Sequence, residues 1–198
     1  MLDHVYFSKP FIKAYIRVLS GSPDVQVLYV NGEPARFTVF YDDFESYNPG
    51  SSGEPIWSPS PAYAWFVTGN GKYGSRGTHD VEQISVVDKV VCGDFTVEVF
   101  AQNNQEWKDT GLVFKLKNLE NFYVFYLKTL NSPLQQEAYA YRVVDGVYTL
   151  LAKKVGLTFD MPSGVKMKVK VVGQVAYCYV NDLSLIHISE PTRPLYIS

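Results

Sequence analysis

Apolar and polar side chains alternate along most of this chain. Within residues 110–128, TGLVFKLKNLENFYVFYLK, Leu112, Phe114 and Leu116 alternate with Val113, Lys115 and Lys117, the period of two that gives a strand one buried face. Asn118-Leu119-Glu120-Asn121 supplies a turn, and residues 122–127 run back as an aromatic strand. A turn closed there sets Leu116 opposite Tyr123, Phe114 opposite Phe125 and Leu112 opposite Leu127 on the core side. Lys115 and Lys117 then share the other face with Phe122, Val124 and Tyr126.

The same period recurs on both sides of this hairpin. Residues 11–19 place Ile12, Ala14, Ile16 and Val18 opposite in sense to Lys13, Tyr15 and Arg17, and Gly21-Ser22-Pro23-Asp24 turns the strand. Residues 25–30 and 36–41 flank Asn31-Gly32, a strong hairpin signal. Residues 47–61 are rich in Pro, Gly and Ser and read as a long irregular loop, which Trp57 packs onto a surface. Strands are expected at residues 62–68, 72–75, 83–91 and 94–102, the last with Phe95, Val97 and Val99 inward and Thr96, Glu98 and Phe100 outward. Residues 138–144 and 147–153 form a hairpin closed by Asp145-Gly146. Residues 165–171 set Met167, Val169 and Val171 against Lys166, Lys168 and Lys170, and Gly173-Gln174 turns them into residues 175–180. No ten-residue run carries a helical period, so the chain is expected to be all-β.

Composition agrees with that pattern and narrows the function classes. The 198 residues are 46% hydrophobic with 15 Tyr, 12 Phe and 3 Trp, the aromatic types that strands favour. A formal net charge of −2, without any Lys/Arg run, gives no reason to expect a nucleic-acid partner. No apolar run approaches the roughly 20 residues of a spanning helix, so no transmembrane segment is expected. The first ten residues lack a basic start leading into an apolar segment and do not read as a signal peptide. Cys92 and Cys178 both fall at or in expected strands; a disulfide between them suits a secreted protein, and two separate buried thiols suit the sequence as well.

Residues 183–198, LSLIHISEPTRPLYIS, resemble the in-frame translation of a transposase-type sequencing adapter followed by index and flow-cell sequence. They are expected to be a non-native tail outside the fold. The alternative is a native strand, LSLIHI, followed by a Pro-containing tail. Residues 1–36 are β but too few to enclose a core. With their sequel, LYVNGEPARFTVFYDDFES, they resemble the closing strands of a β-sandwich domain that precedes lectin-like modules in prokaryotic surface proteins.

The order of signals from Asp42-Asp43-Phe44-Glu45 onward resembles the concanavalin A-like, laminin G-like jelly-roll superfamily. The residues that carry the resemblance are W…AWFVTGNGKY around Trp57 and Trp65, DFTVEVFA, GLVFKLKNLENFYVFYL, YRVVDGVYTLLA and VKMKVKVVGQVAYCYVND. It covers residues 37–182, and the hairpin at residues 111–127 is its most specific part. The resemblance implies an antiparallel two-sheet jelly-roll β-sandwich whose members mostly bind glycans or act as spacers on secreted proteins, some relatives being glycosidases. It also implies further strands after Asn181-Asp182, where the adapter-like sequence stands. A C-terminally truncated domain with an unpaired strand edge is therefore expected.

Catalysis finds little support in the residues. A retaining glycosidase needs two carboxylates ~5–5.5 Å apart. In laminarinase-type members they come from a Glu-x-Asp-x-Glu alternation, yet no Glu here is followed two residues later by Asp. Glu98 stands alone on its strand, where a cross-strand charge pair with Lys168 is expected. His4 and His79 have no Cys or Ser nucleophile motif around them. Glycan binding asks instead for an aromatic platform with a few amide or carboxylate partners. Trp57, Trp65 and Trp107 lie in or beside loops, and Tyr126, Phe122, Arg142 and Thr149 are expected on an outward face of neighbouring hairpins; each could equally be packing. Asp43 and Glu45, beside Asp42, are candidates for a structural calcium ion, with a solvated strand end as the competing reading because alternation separates neighbouring carboxylates. The sequence thus points to a non-catalytic carbohydrate-binding or adhesion module of an extracellular or cell-surface protein, its partner a glycan. The alternative is an accessory domain of a secreted polysaccharide-degrading glycoside hydrolase.

Overall fold

Alternation settles into sixteen strands in a computed structural model, all paired antiparallel, with no helix among the described residues. The structure describes residues 5–8, 11–14, 29–30, 33–34, 40–75, 82–87, 94–102, 109–128 and 136–189, and for those before residue 40 the backbone alone. The chain divides into two units, Met1–Val90 and Val91–Ser198. The domain boundary expected after residue 36 lies outside the described residues.

The first unit is built of short hairpins. β1 (Val5–Ser8) pairs β2 (Phe11–Ala14), and β3 (Tyr29–Val30) pairs β4 (Glu33–Pro34); the Asn31-Gly32 turn expected there lies outside the described residues. β5 (Trp57–Ser60), in the stretch expected to be an irregular loop, is a strand. β6 (Trp65–Val67) pairs β7 (Tyr73–Ser75), and β5 pairs β8 (Ile84–Val87). Pro59 hid β5 from the periodicity; a two-stranded ribbon tolerates it because half of each strand's N–H groups point away from the partner.

The second unit is a sandwich of two four-stranded sheets, the all-β architecture expected. One sheet is a meander of β10 (Thr110–Asn118), β11 (Asn121–Lys128), β12 (Gln136–Val144) and β13 (Val147–Leu157). The other has the order β16 (Leu183–Ser189), β15 (Val175–Val180), β14 (Val165–Val172) and β9 (Phe95–Ala101). Every second residue of β14 is buried, so Val165, Met167, Val169 and Val171 meet Phe125, Leu127, Ala138 and Ala140 of the facing sheet. Each such Val, Met, Leu or Phe contributes roughly 1.5–3 kcal/mol by leaving water. Phe95, Val97 and Val99 point into this core and Thr96, Glu98 and Phe100 out of it, as alternation required. Between the sheets, the buried Gln136 amide donates to the Phe159 carbonyl at 2.5 Å and accepts from the Phe159 N–H, pinning the β13–β14 connection. Cys178 is a free thiol in the same core, its pKa pushed up to about 12 by burial, while Cys92 lies outside the described residues.

Outside a bulge that takes Leu116 away from the core cluster, the central hairpin keeps its expected faces but shifts its register. Asn118 pairs Asn121 at the turn, and the next pair is Phe114 with Tyr123, four residues along β10 but only two along β11. Two extra residues bulge out of β10 around Lys115, whose φ is +49°. Leu112 therefore sits opposite Phe125, and Leu127 opposite Thr110, instead of the pairs expected. Because the slip is even, Leu112, Phe114, Phe125 and Leu127 all remain in the core.

Residues 183–189 are placed within the fold. β16 pairs β15 through a turn at Asn181 and Asp182, both at positive φ, and buries Ile186 and Ile188 in the core cluster. The pattern of LSLIHIS suffices for this: an exposed edge accepts an alternating strand whatever nucleotides encoded it.

Candidate functional site

The meander sheet has a second face, turned away from the core, and aromatic residues cover it. Phe125 and Leu127 fill the core opposite Ala140 and Ala138, so the tyrosines that alternate with those alanines, Tyr139 and Tyr141, are directed outward. Tyr126 lies opposite Tyr139, and Tyr141 lies opposite Leu150 on β13. Tyr141 is the centre of the group: its ring lies 6.2 Å from Tyr126, 5.9 Å from Tyr139 and 6.0 Å from Tyr148. The Tyr126 and Tyr148 contacts are edge-on and that with Tyr139 is stacked, the arrangements ring quadrupoles favour. Phe122 meets the Tyr148 ring at 6.1 Å and, with Val124 and Val143, is buried on this face. Gly111 makes room for Tyr126, since a Cβ there would stand 2.6 Å from its ring.

A charged group closes one end of the row. Glu137 accepts from the Tyr139 hydroxyl and pairs with Lys153 Nζ at 3.1 Å, while that ammonium sits 5.0 Å from the Tyr139 ring centre. The Tyr139 hydrogen bond, then that from Lys153, holds the Glu137 carboxyl below its usual range, and the same bond raises Tyr139. A general acid of glycoside hydrolysis needs the opposite shift. The expected Glu98–Lys168 pair forms across β9 and β14 at 3.7 Å, on the outer face of the other sheet. The surface can therefore stack rings and exchange hydrogen bonds through its hydroxyl fringe.

The first unit gathers a second aromatic group. Trp57 and Trp65, expected as ligand platforms, both pack on Tyr73, at 5.3 and 5.1 Å between ring centres, and Phe44 stacks on the same ring at 4.9 Å. The Tyr73 hydroxyl bonds the Ser52 carbonyl at 2.7 Å and the Ser85 hydroxyl at 2.9 Å. Asp42 holds the loop to this group. Its Oδ1 accepts from the Phe44 N–H at 2.8 Å, and its Oδ2 from the Tyr47 hydroxyl at 2.8 Å and the Trp57 indole N–H at 2.7 Å. Burial, then the bond to Asp42, pushes Tyr47 up to about 12.

Other residues singled out by the sequence fall in different places. Asp43 Oδ1 accepts from the Glu45 N–H at 3.1 Å, and among the described residues no three acidic, His or Cys side chains gather around a common point. A calcium ion at Asp43 and Glu45 would have to draw most of its six to eight oxygens from carbonyls and water. Arg142 and Thr149, expected on the outward face with Tyr126, lie on the opposite one: both pair in the row that contains Tyr123, which packs on the core. The expectation reversed the parity of β12, whose buried side carries Ala138 and Ala140 and whose outward side carries Tyr139 and Tyr141. That same parity, read correctly, would have found Tyr139 and Tyr141. Trp107 lies outside the described residues.

No protein-family model matches the chain, and no curated protein matches it in sequence. Among solved structures, the carbohydrate binding module CBM66 from Bacillus subtilis superposes with a TM-score of 0.54, covering 73% of this chain and 85% of that one at 17% identity. The likeness is one of fold.

Proposed function

We propose that this chain is a non-catalytic carbohydrate-binding module of an extracellular or cell-surface protein, and that the tyrosine-covered face of the meander sheet holds the glycan. The observation that carries the reading is the cluster of Tyr126, Tyr139, Tyr141 and Tyr148 around one centre on a sheet face outside the core. Sugar rings offer C–H faces to aromatic rings and hydroxyls to their polar fringe, and a broad surface suits a polymer better than a pocket does. The fold shared with a protein described as a carbohydrate binding module supports the same reading.

Affinity electrophoresis against a panel of neutral and acidic polysaccharides tests it. Retardation by at least one polysaccharide is expected, with Tyr141→Ala weakening it about tenfold, the equivalent of ~1.4 kcal/mol. Migration unaffected by every polysaccharide in the panel would sink the reading.

A further inference from the structure

Beside the Asp42-anchored loop the first unit has an open cleft lined by Phe44, Glu45, Tyr47, Pro49, Thr68 and Asn70. Two features make it more than a surface depression. One wall is aromatic and held in place: Phe44 has a φ of +61°, a conformation bulky side chains rarely adopt, and it is fixed there by the Asp42 bond to its N–H and by stacking on Tyr73. The other wall is a polar turn in which Thr68 Oγ1 donates to Asn70 Oδ1 at 2.5 Å and accepts from the Lys72 N–H at 3.1 Å. Those bonds leave the Asn70 amide N–H groups directed elsewhere, without a partner among the described residues, and the Glu45 carboxylate has none either. Gly71, at a φ of +66°, suits the turn, and Glu45 lies against it, its Cγ 3.4 Å from where a Cβ on Gly71 would stand.

A free carboxylate accepts two hydroxyl protons, and a free amide donates to a hydroxyl oxygen; together beside aromatic rings they complement adjacent hydroxyls on a ring with an apolar face. An unpaired carboxylate also disfavours an anionic ligand. We infer that this cleft is a second sugar site, built from other residues than the tyrosine face, and that it takes a single neutral sugar residue, with Phe44 and Tyr47 against its C–H face and Glu45 and Asn70 on adjacent hydroxyls. The inference rests on the carbohydrate-binding reading only for the choice of ligand class.

The test uses the full chain, stripped with EDTA, and saturation-transfer NMR with calorimetry on methyl glycosides of neutral hexoses, with methyl glucuronide as the acidic control. At least one neutral glycoside binds, Glu45→Gln and Asn70→Ala each weaken it about tenfold or more, and the glucuronide binds less well. Both cleft residues stand at the surface, so neither substitution threatens the fold. The inference is overturned if no neutral glycoside binds, if both cleft variants bind as the parent does, or if binding appears only when calcium is restored. Polysaccharide retardation read in parallel separates the two sites: a glycoside that still needs Glu45 while no polysaccharide binds refutes the tyrosine face alone.

Discussion

With Asp42 replaced by alanine, the Phe44 N–H, the Tyr47 hydroxyl and the Trp57 indole would together lose their acceptor. Each bond is worth about 1 kcal/mol net, so Asp42→Ala should destabilise the first unit by about 2–3 kcal/mol, and Asp42→Asn by less because one acceptor oxygen remains. A denaturant midpoint followed by tryptophan fluorescence checks this; an unmoved midpoint would refute the anchoring role. Tyr47 gives the same anchor a pH signature. Its folded pKa, near 12, lies above the ordinary 10.0, so folding favours the neutral phenol. The stability it contributes is present below pH 10 and lost as pH rises toward 12. Little of this was legible in the sequence, which shows three neighbouring acids at 42, 43 and 45 but not that a tryptophan fifteen residues on donates to one of them. Proximity of that kind comes from tertiary packing, which alternation does not encode.

At the scale of strands the sequence was far more informative, because a half-buried strand repeats one simple rule. β9 and β14 have the faces their alternation required, and Asp145-Gly146 closes β12 to β13 with both residues at positive φ. Where the rule failed, a specific cause can be named. The bulge at Lys115 moved the register of β10 by two, and the outward side of β12 is that of Tyr139 and Tyr141, opposite to the side expected for Arg142. The Tyr face depends on close contact between β10 and β11 at Gly111. Gly111→Ala should force the Tyr126 ring off its seat, cost about 1–3 kcal/mol as overpacking does, and weaken polysaccharide retardation alongside Tyr141→Ala. Full retention of both the melting temperature and the retardation would show that Tyr126 has room elsewhere.

For the molecule as a whole, acid is the condition that exposes its electrostatics. Asp182 is held below the usual carboxylate range by Lys166, at 2.5 Å, and then Lys168; Asp160 is lowered by its bonds to Ser163, and Glu137 by Tyr139. Depressed pKa values mean that this stabilisation is present above the unfolded carboxylate values and disappears as pH falls through the folded ones. The melting temperature should therefore drop below about pH 4, more shallowly in Asp182→Asn, and the difference should shrink in high salt. A parallel fall in parent and variant would remove Asp182 from the account. Asn181 and Asp182 also make the turn that delivers β16 to the edge of its sheet. If residues 183–198 descend from an adapter, the sandwich has recruited a heptapeptide that evolution never tested against it. Polypeptide ends added by accident or by cloning can thus become structural wherever a sheet is left open, and a chain cut at Asp182 should look for its missing strand on a neighbouring copy, as a swapped pair or a growing aggregate.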